Sequence, residues 1–256
     1  MCFDLDSAPP IRPLAGAAVE KVSLTLRAAD GNEFRAFHAR PGTPTGKSIL
    51  IFPDVRGLHH YYEELAARFA EIGVDALAID YFGRTAGTGD RGDDFDYSPH
   101  VAQTTWTGLS ADIASAASYL RTAADKGAAS LFTIGFCMGG RTAFLSSTLG
   151  LGLAGCIGFY GFPGGPSRNG TPAPIDVIGQ IECPILGIFG GADGAIPVAT
   201  VQEFRDALAA AGLDHDIVVE PDAPHSFFDR KQEEFRKQSD DAWVRVQRFI
   251  AANGTH

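Results

Sequence analysis

The residues best suited to covalent chemistry lie in LFTIGFCMGGRTAF, residues 131–144, where Cys137 has Gly135 before it and Gly139 and Gly140 after it. Apolar residues run up to Phe136 and a helix-like pattern follows, so the cysteine stands where a strand turns into a helix. A nucleophile at so tight a turn needs small neighbours, and Gly135-Phe136-Cys137-Met138-Gly139 supplies them in a G-x-Nuc-x-G pattern. The helix that starts there points free N–H groups and its positive end at the sulfur, which lowers the thiol pKa and favours a developing oxyanion. The plainer alternative is a buried structural cysteine beside a glycine-rich packing contact. Two residues downstream favour chemistry. Asp193 lies in GADGAIP, just after the apolar run PILGIFG, and His225 lies in PDAPHSFF, just after HDIVVE. Nucleophile, acid and histidine, each placed just beyond a strand, could act as attacking group, orienter and base. Other histidines lack such a setting: His59 and His60 are adjacent, so their rings diverge, and His38, His100, His215 and His256 have no chemical context.

These positions require an alternating framework. VSLTLRA (22–28) and EFRAFHAR (33–40) alternate around the turn DGN and predict an opening hairpin. Short apolar strands are expected at 48–54, 74–80, 154–161 and 184–190, and a last strand at 215–220. Helical stripes are expected at 62–72, 109–124, 197–211 and 238–252. Strands alternating with helices predict an α/β chain with a mainly parallel sheet covered on both faces. Two polar stretches, 85–104 and 162–182, are too long for simple connections and predict lids or walls of a site.

Composition sets bounds. The 256 residues are 45% hydrophobic and 20% charged, which suits one globular domain spanning 1–256. A net charge of −10 without a basic cluster argues against nucleic acid or an anionic membrane as partner. An anionic substrate would have to be captured locally by specific arginines. No apolar run approaches the roughly 20 residues that span a bilayer. The opening MCFDLDSAPPIRP has no signal-peptide pattern, and Cys2, Cys137, Cys156 and Cys183 show neither metal spacing nor a disulfide framework. A reduced, cytoplasmic protein is expected.

At the level of motifs, the sequence resembles the dienelactone hydrolases, the carboxymethylenebutenolidase group of α/β-hydrolases that uses cysteine where most relatives use serine. The resemblance runs from about residue 20 onward and rests on GFCMGG, on DYFGR at 80–84, on FGGADGAIP at 189–197 and on PHSFF at 224–228. It implies that Cys137 attacks a lactone or ester carbonyl, with His225 as base and Asp193 orienting it. The backbone N–H groups of Val55 and Met138 would form the oxyanion hole. The family keeps an acid near the thiol in an E-x-F-G context; here DVRGL puts Asp54 in that place, one methylene shorter. Family enzymes acting on dienelactone hold its carboxylate with two arginines. The first carries over to Arg84. The second is expected four residues after the histidine, where Asp229 stands, so Arg230 or Arg141 is the candidate instead. The expected reaction is the opening of small lactones or esters through a cysteinyl thioester, with no metal or cofactor. A cysteine-dependent amidase and a non-catalytic hydrolase-like binding protein are the alternatives.

Overall fold

The computed structural model describes residues 3–4, 6–92, 94–123 and 129–255. The predicted hairpin is β1 (Val19–Arg27) and β2 (Glu33–Pro41), paired antiparallel. There follow β3 (Lys47–Phe52), α1 (His60–Glu71), β4 (Val74–Ile79), and the short α2 (Gly83–Ala86) and α3 (Ser98–Gln103). Next come α4 (Trp106–Ala123), β5 (Ser130–Phe136), α5 (Met138–Ser146), β6 (Gly155–Phe159) and β7 (Ile185–Gly190). The remainder is α6 (Val198–Ala210), β8 (His215–Glu220) and α7 (Arg236–Asn253). The sheet runs β1-β2-β4-β3-β5-β6-β7-β8, antiparallel up to the β2–β4 pair and parallel from β4 onward.

Central strands are buried on both faces, so their apolar runs do not alternate with polar residues. Successive side chains of β3 serve opposite layers: Ile49 and Ile51 pack with Tyr62, Leu65 and Phe69 of α1 and with Val246 of α7. Leu50 and Phe52 pack with Leu109, Ile113 and Leu120 of α4. Helices therefore cover both faces, as the alternation predicts. The two long polar stretches hold more structure than was expected: the first contains the end of α2 and the whole of α3, and the second a short 3-10 segment at Pro174–Gln180. Among the described residues no helix is long and apolar enough to cross a membrane.

Parallel pairing brings the C-terminal ends of β3, β5, β6, β7 and β8 to one edge of the sheet, and close backbone crossings hold the loops there. A Cβ at Gly139 would collide with the carbonyl oxygens of Phe52 and Pro53, so only glycine lets α5 sit against the end of β3. Gly139→Ala should cost about 1–3 kcal/mol of overpacking and lower Tm by roughly 2–10 °C. Gly179→Ala, where a Cβ meets nothing within 4 Å, should leave Tm within about 1 °C. Calorimetry on the two variants makes the comparison.

Candidate active site

Cys137 is the residue between β5 and α5, with φ 55° and ψ −114°. A non-glycine residue held there costs on the order of 1–3 kcal/mol and persists only where its surroundings impose it. The Cys137 N–H donates to the Phe159 carbonyl at 3.0 Å, which ties the turn to the end of β6. Tyr160, Asp222 and Ser226 also have positive φ, 37°, 59° and 60°, so the four such non-glycine residues among the described residues lie at these strand ends and in the histidine loop. The thiol is 6% exposed. Met138 opens α5, so its N–H has no acceptor within the helix and suits an oxyanion donor.

The acid and histidine meet. His225 Nδ1 lies 2.7 Å from Asp193 Oδ2, although 32 residues separate them in the chain. Asp193 Oδ1 accepts the N–H groups of Ala195 and Ile196 at 2.8 and 3.2 Å. Burial works to raise the Asp193 pKa, but the hydrogen bond and charge of His225 and the two N–H groups outweigh it and hold the carboxyl below its ordinary value of 3.8. With Nδ1 held by the carboxylate, the ring can present Nε2 to a proton donor or acceptor. The imidazole packs beside Tyr160 and Phe162, with ring centroids 4.9 and 5.9 Å away.

Asp54 is 1% exposed at the end of β3. Its Oδ1 accepts the Arg56 N–H at 2.8 Å, while its buried Oδ2 has no hydrogen-bond partner among the described residues. His59 Nε2 stands 3.9 Å from Oδ1, beyond hydrogen-bond distance. The Asp54 N–H donates to the Tyr62 hydroxyl at 2.8 Å, and Tyr81 donates to the Pro53 carbonyl at 2.7 Å. Burial pushes the Tyr81 phenol well up, with Asp54, Asp80 and Cys137 adding to the rise, so acid and thiol are felt at one buried ring. The loop carrying Val55 is held by Asp80, which motif reading missed: its carboxylate accepts the N–H groups of Leu58 at 3.1 Å and Phe82 at 3.0 Å and pairs with Arg91 at 2.8 Å. An acid directly after a buried strand was the available signal.

The arginines are placed differently from the expectation. Arg84 is committed to Asp30 and Asp112, at 2.6 and 2.7 Å, and to the Gly108 carbonyl at 3.1 Å, so its fork is filled by the protein's own carboxylates. Arg141 is buried and donates to the carbonyls of Pro172, Gly165 and Thr171 at 3.1, 3.0 and 2.9 Å, closing the 162–182 loop. Burial lowers its pKa, with Asp176 opposing. Arg230 is exposed, and its backbone N–H donates to the Ala8 carbonyl at 2.9 Å. None of the three is presented as a carboxylate fork in the site. Cys156 and Cys183 are buried core residues, and burial, together with the Cys156 thiol donating to Cys183, pushes the Cys156 pKa well up.

A mostly parallel sheet with a strained cysteine, an acid and a histidine at one edge has the form of an α/β-hydrolase. The family model for the dienelactone hydrolase family matches residues 34–253. A protein of Escherichia coli K12, provisionally named a carboxymethylenebutenolidase, is 30% identical over 262 residues, covering 96% of this chain and 95% of its own. A crystal structure of a provisionally named dienelactone hydrolase from Klebsiella pneumoniae superposes with a TM-score of 0.80 at 28% identity, covering 91% of this chain and 99% of that one. A dienelactone hydrolase-like promiscuous phosphotriesterase from metagenomic libraries shares the fold, with a TM-score of 0.74 at 17% identity over 93% of this chain and all of that one. The chain belongs to the dienelactone hydrolase family. It is a hydrolase of the carboxymethylenebutenolidase type, acting on a small molecule.

Two predictions follow the geometry. A histidine that moves protons and a carboxylate that orients it require that His225→Ala lower kcat by about 10⁶ and Asp193→Asn by about 10⁴. The lowered pKa of Asp193 means that its contribution to stability is present above the unfolded carboxylate value and is lost as pH falls through the folded one. Steady-state kinetics on a p-nitrophenyl ester and unfolding of Asp193→Asn at neutral and acid pH measure both effects. For Asp54, a carboxylate beside a thiol disfavours thiolate by like-charge repulsion. Asp54→Ala should leave Tm nearly unchanged and move the rise of iodoacetamide alkylation at Cys137 to lower pH. An unmoved profile would place Asp54 outside the thiol's field.

Proposed function

We propose that this hydrolase opens small lactones or esters through a Cys-His-Asp triad and a thioester intermediate. The observation that carries this reading is the 2.7 Å Asp193–His225 pair at the same sheet edge as a strained cysteine that opens a helix. In the first half-reaction the Cys137 sulfur, its proton taken by His225, forms a bond to the carbonyl carbon. The C–O bond then breaks and the departing alkoxide takes the proton from His225. In a lactone, that alcohol stays attached to the acyl chain. In the second half, His225 takes a proton from water, the oxygen adds to the thioester, and the C–S bond breaks with return of the proton to sulfur. The N–H groups of Val55 and Met138 stabilise the tetrahedral oxyanion in both halves.

Asp54 has a distinct task in this scheme. Its unpaired buried oxygen favours the neutral thiol while no substrate is bound, which protects Cys137 from unproductive alkylation and oxidation. The reading is tested by acid-quenching a p-nitrophenyl ester reaction and mapping the acyl group by mass spectrometry. An adduct on the Cys137 peptide that decays as acid is released is expected, and Cys137→Ala should show neither adduct nor turnover above background. Full activity in Cys137→Ala would exclude the thioester.

A further inference from the structure

The pocket beside the histidine is walled by a part of the chain far from the site motifs. A cavity of about 350 Å³ lies against His225, and Phe3 and Asp4 line it together with Pro224, Asp229 and Gln232. Phe3 is 3% exposed. Its ring stacks on Tyr61 with centroids 3.9 Å apart and lies 6.1 Å from Phe136, the residue before the cysteine. It also lies 6.3 Å from Tyr160, whose ring packs on His225.

Polar ties fix this segment to the two loops that carry the site. Arg56, next to Val55, donates through its guanidinium to the Phe3 carbonyl and, at 3.2 Å, to the Asp4 carbonyl. On the histidine side, Asp229 accepts the Ser7 hydroxyl at 2.7 Å and the Ala8 N–H at 3.3 Å. The Lys231 ammonium reaches Asp4 at 3.1 Å and Asp6 at 2.6 Å. Asp229, four residues after the histidine, thus clamps the segment ahead of β1.

The charge of the wall has a consequence for the substrate. Among the described residues lining the cavity, the carboxylates are Asp4 and Asp229, and none is lysine or arginine. Lys231 is shared between two aspartates, so the group of three keeps a net negative charge. A carboxylate on the substrate would meet like charge at the mouth, within a chain whose net charge is already −10.

Resting on the Cys137 reading above, we propose that the segment ahead of β1 is a specificity-determining wall, whose Phe3–Asp4 pair selects uncharged esters and lactones over carboxylate-bearing ones. The test compares p-nitrophenyl butyrate with the mono-p-nitrophenyl ester of glutaric acid, a carboxylate-bearing acyl chain, in low-salt buffer. Wild type should favour the uncharged ester by at least about tenfold in kcat/KM. In Asp4→Lys the ratio of anionic to neutral kcat/KM should rise by about tenfold. The Asp4 side chain is 75% exposed, so the variant folds, which its melting curve verifies. Equal turnover of both esters by wild type, or a ratio that Asp4→Lys does not move, overturns the proposal. Cys137→Ala measured alongside separates the two levels: activity surviving there sinks the thioester reading, whereas a flat charge ratio with Cys137 essential sinks only the wall.

Discussion

The structure depends on one backbone constraint, the turn that leaves β5 through Cys137 and enters α5 without an intervening residue. At φ 55° a side chain is disfavoured, so the conformation must be held from outside. The Cys137 N–H bond to Phe159 holds one side, and the contact of Gly139 with the Phe52 and Pro53 carbonyls holds the other. That second contact reaches beyond the turn. Because the Pro53 carbonyl lies against α5, Asp54 and Val55 follow it at the same sheet edge, and the segment is fixed by the Asp54 N–H donating to Tyr62 at 2.8 Å and by Tyr81 donating to the Pro53 carbonyl at 2.7 Å. The proposed nucleophile and oxyanion donors are therefore parts of one packing unit.

His225 is positioned by the same logic on neighbouring strands. β7 and β8 pair in parallel, so the loops after them emerge together. Gly191 and Ala192 donate their N–H groups to the carbonyls of Glu220 and Ala223, at 2.8 and 3.0 Å, and bind the acid's loop to the histidine's. Once these loops are joined, the Asp193–His225 hydrogen bond needs little further ordering of either side chain, which preserves its strength against the entropy of fixing it.

Arginine placement shows how far residue type alone falls short of a role. A guanidinium is useful to a substrate only while its fork is open, and here two forks are filled by the protein. Asp30 and Asp112 occupy Arg84, and backbone carbonyls of the 162–182 loop occupy Arg141. Hydrogen bonds of this kind occupy the donors and order the loops they join, so such arginines are not spare.

How much was legible follows from the range of each interaction. The strand–helix alternation, the parallel sheet, the hairpin and the Cys137 turn could be read locally, because hydrophobic period, small neighbours and turn residues act over a few positions. Their places just beyond strands and their chain order made Asp193 and His225 candidates, and the family resemblance supplied the roles. What local patterns could not contain was the partner of any long polar side chain. Arg84 meeting Asp30 and Asp112, Asp80 holding the Leu58 loop and Asp229 clamping Ser7 and Ala8 all join segments 22 to 222 residues apart. The same holds for β4 inserting between β2 and β3, and for Phe3 lying against Tyr61 beside the site. An arginine or aspartate reads alike in sequence whether its charge faces substrate, solvent or another part of the chain. Only the packed structure decides which, because the answer depends on what the fold brings within about 3 Å of it.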